Sequence, residues 1–212
     1  ARLKEVIRQK DQFLATVSHE VRSPMNGVFG MADALSRTPL DDKQKRYLSV
    51  LRDACDSMLS IANQLLEKGK LDSGQTTLVP VDFDIAEFVA SKVAEFSSQA
   101  EKRGLLLELD TKILTESRIR FDKMRLAQVL GNLISNAIKY TQNGGSVLVE
   151  TDYDKDKKHV IFSVSDTGLG LSEEDIKRTF QKGATLSSKP TGGESATGLG
   201  LWIVKKMVEA HD

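Results

Sequence analysis

Four short stretches of this 212-residue chain hold side chains whose types and spacing could do chemistry. In the first, Asn132, Asn136 and Lys139 recur at intervals of four and three, so a helix shows all three on one face. That face is polar within an otherwise apolar helical pattern, which costs free energy unless it meets polar partners. Amide oxygens can ligate a hard cation such as magnesium, and a lysine can meet phosphate as a point charge. The same face also describes a plain solvated stripe. In the second stretch, Asp166, Thr167, Gly168, Leu169 and Gly170 follow directly on an apolar strand pattern. A carboxylate at a strand end can accept from an exocyclic amine, and glycines let backbone approach a flat ligand. An ordinary turn has the same composition. In the third, Thr197, Gly198, Leu199 and Gly200 open a helix after a loop rich in glycine and serine. Free N–H groups and the positive end of the helix dipole suit phosphate there. The loop itself, with Gly183, Gly192 and Gly193, has the composition of a mobile cover.

The fourth stretch is His19 with Glu20 beside it. Ile7, Leu14, Val21, Val28 and Leu35 lie seven apart, and Leu3, Val17 and Met31 fill most of a second seam. On that heptad His19 falls at f, the outermost position, displayed to solvent rather than packed. A bland surface histidine fits that placement as well.

The elements that must carry these groups follow from periodicity. Residues 1 to about 37 read as one helix, about 50 Å long at 1.5 Å per residue. Pro24 removes a backbone donor within it, so a kink is expected just past His19. Residues 38–42 form a short connection in which Asp41 or Asp42 can cap the next helix, 42–71. That helix repeats Leu48, Leu51, Cys55, Met58, Ala62 and Leu65 at alternating threes and fours. Two helices alone close no core, so the seams are expected to meet a second copy, as a homodimeric four-helix bundle through residues 1–71. After a linker at 75–82 the pattern changes. Helices at 84–102 and 123–141, strands at 105–109, 119–121, 146–151 and 159–165, a short helix at 173–179 and a last one from about 200 read as an α+β sandwich with a mainly antiparallel sheet.

Composition narrows the function. Thirty basic and thirty acidic residues cancel, which supplies no field for nucleic acid or an acidic membrane. A single cysteine, Cys55, excludes a disulfide framework or a cysteine-based metal site and fits a reducing, cytoplasmic setting. No apolar run reaches the roughly 20 residues of a membrane-spanning helix, so no membrane contact is expected of this segment, whatever tethers the full-length protein.

Taken in order, these stretches resemble the boxes of the sensor histidine kinases over essentially the whole chain. Residues 18–24, with His19, are similar to the H box, Asn132 to Lys139 to the N box, and Asp166 to Gly170 to the G1 box. Phe180 resembles the F-box residue and Gly198 to Leu201 the G2 box. The pattern around Phe13 and Met25 is especially similar to hybrid kinases, which carry receiver domains further along. The resemblance implies a dimerisation and histidine-phosphotransfer hairpin over 1–74 and a Bergerat-type ATP-binding domain over 83–212. It implies ATP and Mg2+ as cofactors and a receiver domain as partner. His19 is then the phosphoacceptor, with Glu20 orienting its imidazole. Asn136 ligates magnesium, Asn132 assists at the phosphates, and Lys139 contacts phosphate or ribose. Asp166 accepts from the adenine amine, and Gly168, Gly170, Thr197, Gly198, Leu199 and Gly200 line the nucleotide with Phe180 and Tyr140 near it.

Two departures bear on activity. Ser23 stands where the family has threonine or asparagine positioning a water for dephosphorylation; serine keeps the hydroxyl and loses the methyl that fixes its rotamer. The family also continues past a last helix into further strands, so the second domain is expected to be C-terminally incomplete here. ATP hydrolases of the same fold resemble a Glu-x-x-x-Asn pattern whose glutamate activates water, and here that position is Asn132, a poor base. Kinase is therefore expected over mechanical ATPase, and over a nucleotide-holding scaffold that transfers nothing.

Overall fold

The structure, a computed structural model, describes residues 2–72, 78–112, 118–154, 159–181, 183, 184, 186–192 and 198–211. For residues 2–8, 10–15, 18, 19, 66, 68 and 70–72 it describes the backbone alone. Contacts divide the chain into two units, Ala1–Thr76 and Thr77–Asp212.

The first unit is a hairpin of α1 (Arg2–Ser36) and α2 (Asp42–Asp72). α1 stays helical through Pro24, whose ring withholds an N–H from the Glu20 carbonyl while the turns on either side carry the helix past it. The connection is held by local polar groups. Ser36 Oγ donates to Asp33 O at 2.7 Å and Thr38 Oγ1 to Leu35 O at 2.8 Å. Asp41 and Gln44 then form a reciprocal capping box: Gln44 N–H donates to Asp41 Oδ1 at 2.8 Å and Asp41 N–H to Gln44 Oε1 at 2.9 Å. Small side chains, Ala32, Cys55 and Ala62, are buried in this unit. Arg22 donates to Asn63 Oδ1 at 2.8 Å, and Arg52 pairs with Asp33, so polar bonds also tie α1 to α2. Leu35, Met31, Leu51 and Met58 stay exposed along the rest of the seam.

The second unit runs β1 (Val81–Asp84), α3 (Ile85–Lys102), β2 (Leu106–Thr111), β3 (Arg118–Phe121), α4 (Lys123–Tyr140), β4 (Ser146–Asp154), β5 (His159–Asp166), α5 (Glu173–Arg178) and α6 (Gly200–Glu209). Each of the first three helices starts on a side-chain cap. Asp84 accepts from Glu87 N–H, Asp122 from Arg125 N–H and Ser172 from Asp175 N–H. β4 alternates burial strictly, with Val147, Val149 and Thr151 inward. Val147 and Val149 meet Ile85, Phe88 and Val89 of α3 and Leu130, Ile134 and Ile138 of α4 in one core. α6 packs on α4 through a buried face of Trp202, Ile203, Val204 and Met207.

Two features differ from the expectations. β1 occupies part of the stretch read as linker, pairing antiparallel with β3 so that Val81 faces Phe121 and Asp84 faces Arg118. In the three-stranded sheet, β2 is parallel to β4 and only β4–β5 is antiparallel, so the sheet is mixed. Four strand residues behind Pro80 carry too little alternation to be seen alone. A parallel pairing leaves no hairpin turn to announce it. Residues 75–77 of the linker and most of the turn at 154–158 lie outside the described residues.

Candidate functional site

The polar face of α4 is where the spacing placed it. Asn132 and Asn136 are half-buried, and both reach the start of α6: a Cβ added at Gly200 would lie 3.9 Å from Asn132 Oδ1 and from Asn136 Nδ2. Asn136 and Gly200, 64 residues apart in sequence, therefore converge with Asn132 beside them. The N-terminus of α6 brings unsatisfied N–H groups and a positive dipole end to the same place. No three or more His, Cys, Asp or Glu gather as a metal cluster among the described residues. Neutral amide oxygens on a half-buried face still suit magnesium, which keeps waters and takes its charged ligands from a phosphate rather than from a protein cage. The donor set therefore fits a metal that arrives with its nucleotide.

The turn at 166–170 is fastened to the other end of α4. Gly168 N–H donates to Asp166 Oδ1 at 2.9 Å, which orients the carboxylate, and Leu169 N–H donates to Tyr140 O at 3.3 Å. A Cβ at Gly168 would fall 2.5 Å from Tyr140 O and 2.7 Å from Asp166 Oδ1, so no other residue fits. Thr167 locks the turn to β4, accepting from Ser146 N–H at 2.9 Å and donating its own N–H to Ser146 O at 3.1 Å. Gly198 has the same requirement twice over: its φ is +64°, and a Cβ would lie 2.5 Å from Ala184 O.

Neighbouring groups take the last carbonyls of α4 one by one. Thr141 Oγ1 donates to Ala137 O at 2.7 Å and Arg103 Nη1 to Ile138 O at 2.7 Å. Thr191 N–H donates to Lys139 O at 2.9 Å, and Leu169 closes the series on Tyr140. These are the acceptors a helix end otherwise leaves to water. Lys139 and Tyr140 are thus held on a fixed last turn, half-buried. A cavity of about 490 Å³ opens beside it, lined by Arg103, Thr141, Leu169, Lys189 and Thr191 among others. A cavity of about 700 Å³ lies elsewhere, over Val79, Phe83, Phe88 and Met124, and takes in none of the candidate residues.

Two buried carboxylates lie at helix starts of this unit, Asp122 at α4 and Asp175 at α5. Burial pushes the Asp122 carboxyl up, but the N–H groups of Val79 and Arg125 and the Arg125 charge outweigh it and hold it below its ordinary value. The Ser187 hydroxyl, against the opposing effect of burial, holds Asp175 low.

Among the other expected residues, Leu199 is buried, Gly170 is exposed at φ +66° and Phe180 is 47 % exposed. Thr197 lies outside the described residues. In the hairpin, the His19 backbone lies within α1 and its side chain is outside the description; Glu20 and Ser23 are exposed. Arg103, Thr141, Thr167, Thr191, Asp122 and Asp175 escaped sequence reasoning. Two had a local signal: Asp122, a capping type directly before the apolar helical pattern, and Asp175, in the Ser172-x-x-Asp175 form of a helix start.

Residues 9–74 match the family described as His Kinase A (phospho-acceptor) domain, and residues 121–212 match Histidine kinase-, DNA gyrase B-, and HSP90-like ATPase. The chain belongs to the histidine kinases. The kinase core is 38% identical over 208 residues to the virulence sensor protein BvgS of Bordetella pertussis, covering 95% of this chain and 17% of that protein. It is 33% identical over 209 residues to the signal transduction histidine-protein kinase BarA of Escherichia coli, covering 98% of this chain and 23% of that one. It thus spans about a fifth of the length of such relatives. A crystal structure of full-length ShkA in complex with AMPPNP superposes with TM-score 0.69 at 33% identity, over 94% of this chain and 41% of that one. The kinase core has no described helix long and apolar enough to cross a membrane.

Proposed function

We propose that this core phosphorylates His19 from ATP and passes the phosphoryl group to an aspartate of a receiver domain. The convergence of Asn132 and Asn136 on the start of α6, in one chain with a phospho-acceptor helix, carries the reading. On this reading Asp166 and the glycine turn take the base, and Lys139 and Tyr140 hold the ribose end. Asn136 and Asn132 face the phosphates, with Gly198, Leu199 and Gly200 presenting the backbone of α6. Magnesium, held through Asn136, supplies charge neutralisation at the phosphates.

The unprotonated imidazole nitrogen of His19 forms a bond to the γ-phosphorus as the bond to the bridging oxygen breaks, and ADP leaves with that electron pair. The other ring nitrogen becomes more acidic as the first gains its bond, and Glu20 is the adjacent carboxylate to hold that proton. Asn132 cannot serve as a base for water, so the γ-phosphoryl group waits for the histidine. Ser23, one turn along α1, keeps a hydroxyl on the same helix for directing water at the phosphorylated receiver.

The exposed hairpin seam supports assembly as a homodimer. Met31 is 69 % and Met58 55 % exposed in the hairpin alone, more than a helical pair in water leaves uncovered by choice. A cytoplasmic location follows from the need for ATP and a receiver domain. The test is incubation with γ-labelled ATP and magnesium. Acid-labile, base-stable label should appear on the protein and vanish in His19→Ala and Asn136→Ala. Free phosphate released at an undiminished rate by His19→Ala would sink the proposal.

A further inference from the structure

Asp175 sits in the first turn of a helix of only six residues, yet it is 4 % exposed. The helix start needs no carboxylate at that position, because Ser172 Oγ already takes the Asp175 N–H at 3.1 Å. Both carboxylate oxygens instead turn to Ser187, twelve residues later in the irregular stretch. They accept its N–H at 3.3 and 3.2 Å, and Oδ2 accepts its hydroxyl as well. A buried carboxylate is costly unless donors surround it, and here Ser187 supplies the foremost of them, with the Ser172 hydroxyl and the Arg178 charge adding to it.

The next residue carries the effect onward. Ser188 Oγ donates to Gly170 O at 2.9 Å, at the end of the 166–170 turn where φ is +66°. Three residues further, Thr191 Oγ1 donates to Lys139 O and to Thr141 O, both at 3.0 Å. Residues 187–191 therefore form a strap fastened to α5, to the glycine turn and to the last turn of α4. Thr191 is exposed and Ser188 half-buried, so water competes at those two fastenings. At the Asp175 fastening the carboxylate is buried although Ser187 is exposed, and charge-assisted bonds of its kind are roughly twice as strong as neutral ones.

We propose that Asp175 is a positioning residue for nucleotide: by holding Ser187 it sets the strap that fixes the glycine turn and the α4 terminus. The inference rests on the reading of those two elements as the base and ribose end of the ATP site. Pre-set geometry at the base end strengthens binding of substrate and transition state alike, so it acts on KM and leaves kcat in place.

The test uses the 212-residue chain. Asp175→Asn keeps the shape but turns one acceptor into a donor facing the donors of Ser187. Affinity for a non-hydrolysable ATP analogue should fall by about tenfold, with labelling of His19 at saturating ATP within about twofold of wild type. Amide hydrogen exchange at Ser187, Ser188 and Thr191 should quicken without nucleotide, while β4 and β5 exchange as before. Ser187→Ala, which keeps the N–H, should shift affinity in the same direction by less, and Ser187→Thr should restore it. Unchanged affinity in both Asp175→Asn and Ser187→Ala overturns the proposal. So does a fall in saturating rate that simply tracks the folded fraction. Wild-type protein that fails to bind the analogue would instead overturn the reading of the site, with the exchange result still standing.

Discussion

The two units handle apolar surface in opposite ways. In the ATP-binding unit Ile85, Leu130, Ile134, Ile138, Val147 and Val149 are all 0 % exposed, enclosed between two helices and a sheet. In the hairpin the buried side chains are small, and the large ones stand out: Leu35 is 52 % and Met58 55 % exposed. A closed core is finished without help, and the apolar side chains still exposed there, Met124 and Ile176 among them, lie outside it. The hairpin is unfinished along a whole seam. One unit offers a place to a small ligand, the other a seam to a second protein surface, and that division suits the proposed transfer from ATP to His19.

The largest test of this contrast is chemical. His19→Ala should abolish labelling while ATP still binds as in wild type. Asn136→Ala should weaken ATP binding itself by about tenfold to a hundredfold, the worth of a lost hydrogen bond to charge. Equal loss of binding in both variants would erase the division of labour.

The next is packing. Ile134→Ala should destabilise the ATP-binding unit by about 2–5 kcal/mol through the cavity it leaves. Calorimetry at several protein concentrations should find that loss unchanged. Melting of the hairpin should instead rise with concentration, and Met31→Ala or Met58→Ala should flatten that dependence. A concentration-independent hairpin would break the comparison.

Acid should then separate the units by pH. Asp122 and Asp175 both lie below an ordinary value of 3.8 in the fold. Their ionised forms favour the native state, so the stability they contribute is whole above that pH and is lost as pH falls through the folded values. Asp122→Asn should flatten the pH dependence of unfolding of the second unit below about pH 4. The smallest effect belongs to the connection. Asp41→Ala removes one half of the capping box and should cost about 0.5–2 kcal/mol, seen only in the hairpin transition.

Much of this arrangement is legible before any coordinates. Helical stripes place α3 and α4, Asp84 announces its cap, and intervals of four and three put Asn132 and Asn136 on one face. Those signals are local, decided within one or two turns. What stays hidden depends on residues far apart. Arg103 meets Ile138, Thr191 meets Lys139, and β1 exists because β3, more than thirty residues later, pairs with it. Asp175 illustrates the boundary: its place at a helix start is readable, but its partner Ser187 is not, because nothing in the intervening loop fixes the distance.

Cys55 has a practical consequence. It is the chain's single cysteine, and it is 5 % exposed within the hairpin. A shielded thiol reacts with an alkylating reagent only when its surroundings open. The rate of its modification therefore clocks how often α1 and α2 part, with no label added and no second thiol to confuse the count. Followed with and without nucleotide, that single sulfur turns the hairpin into its own stopwatch.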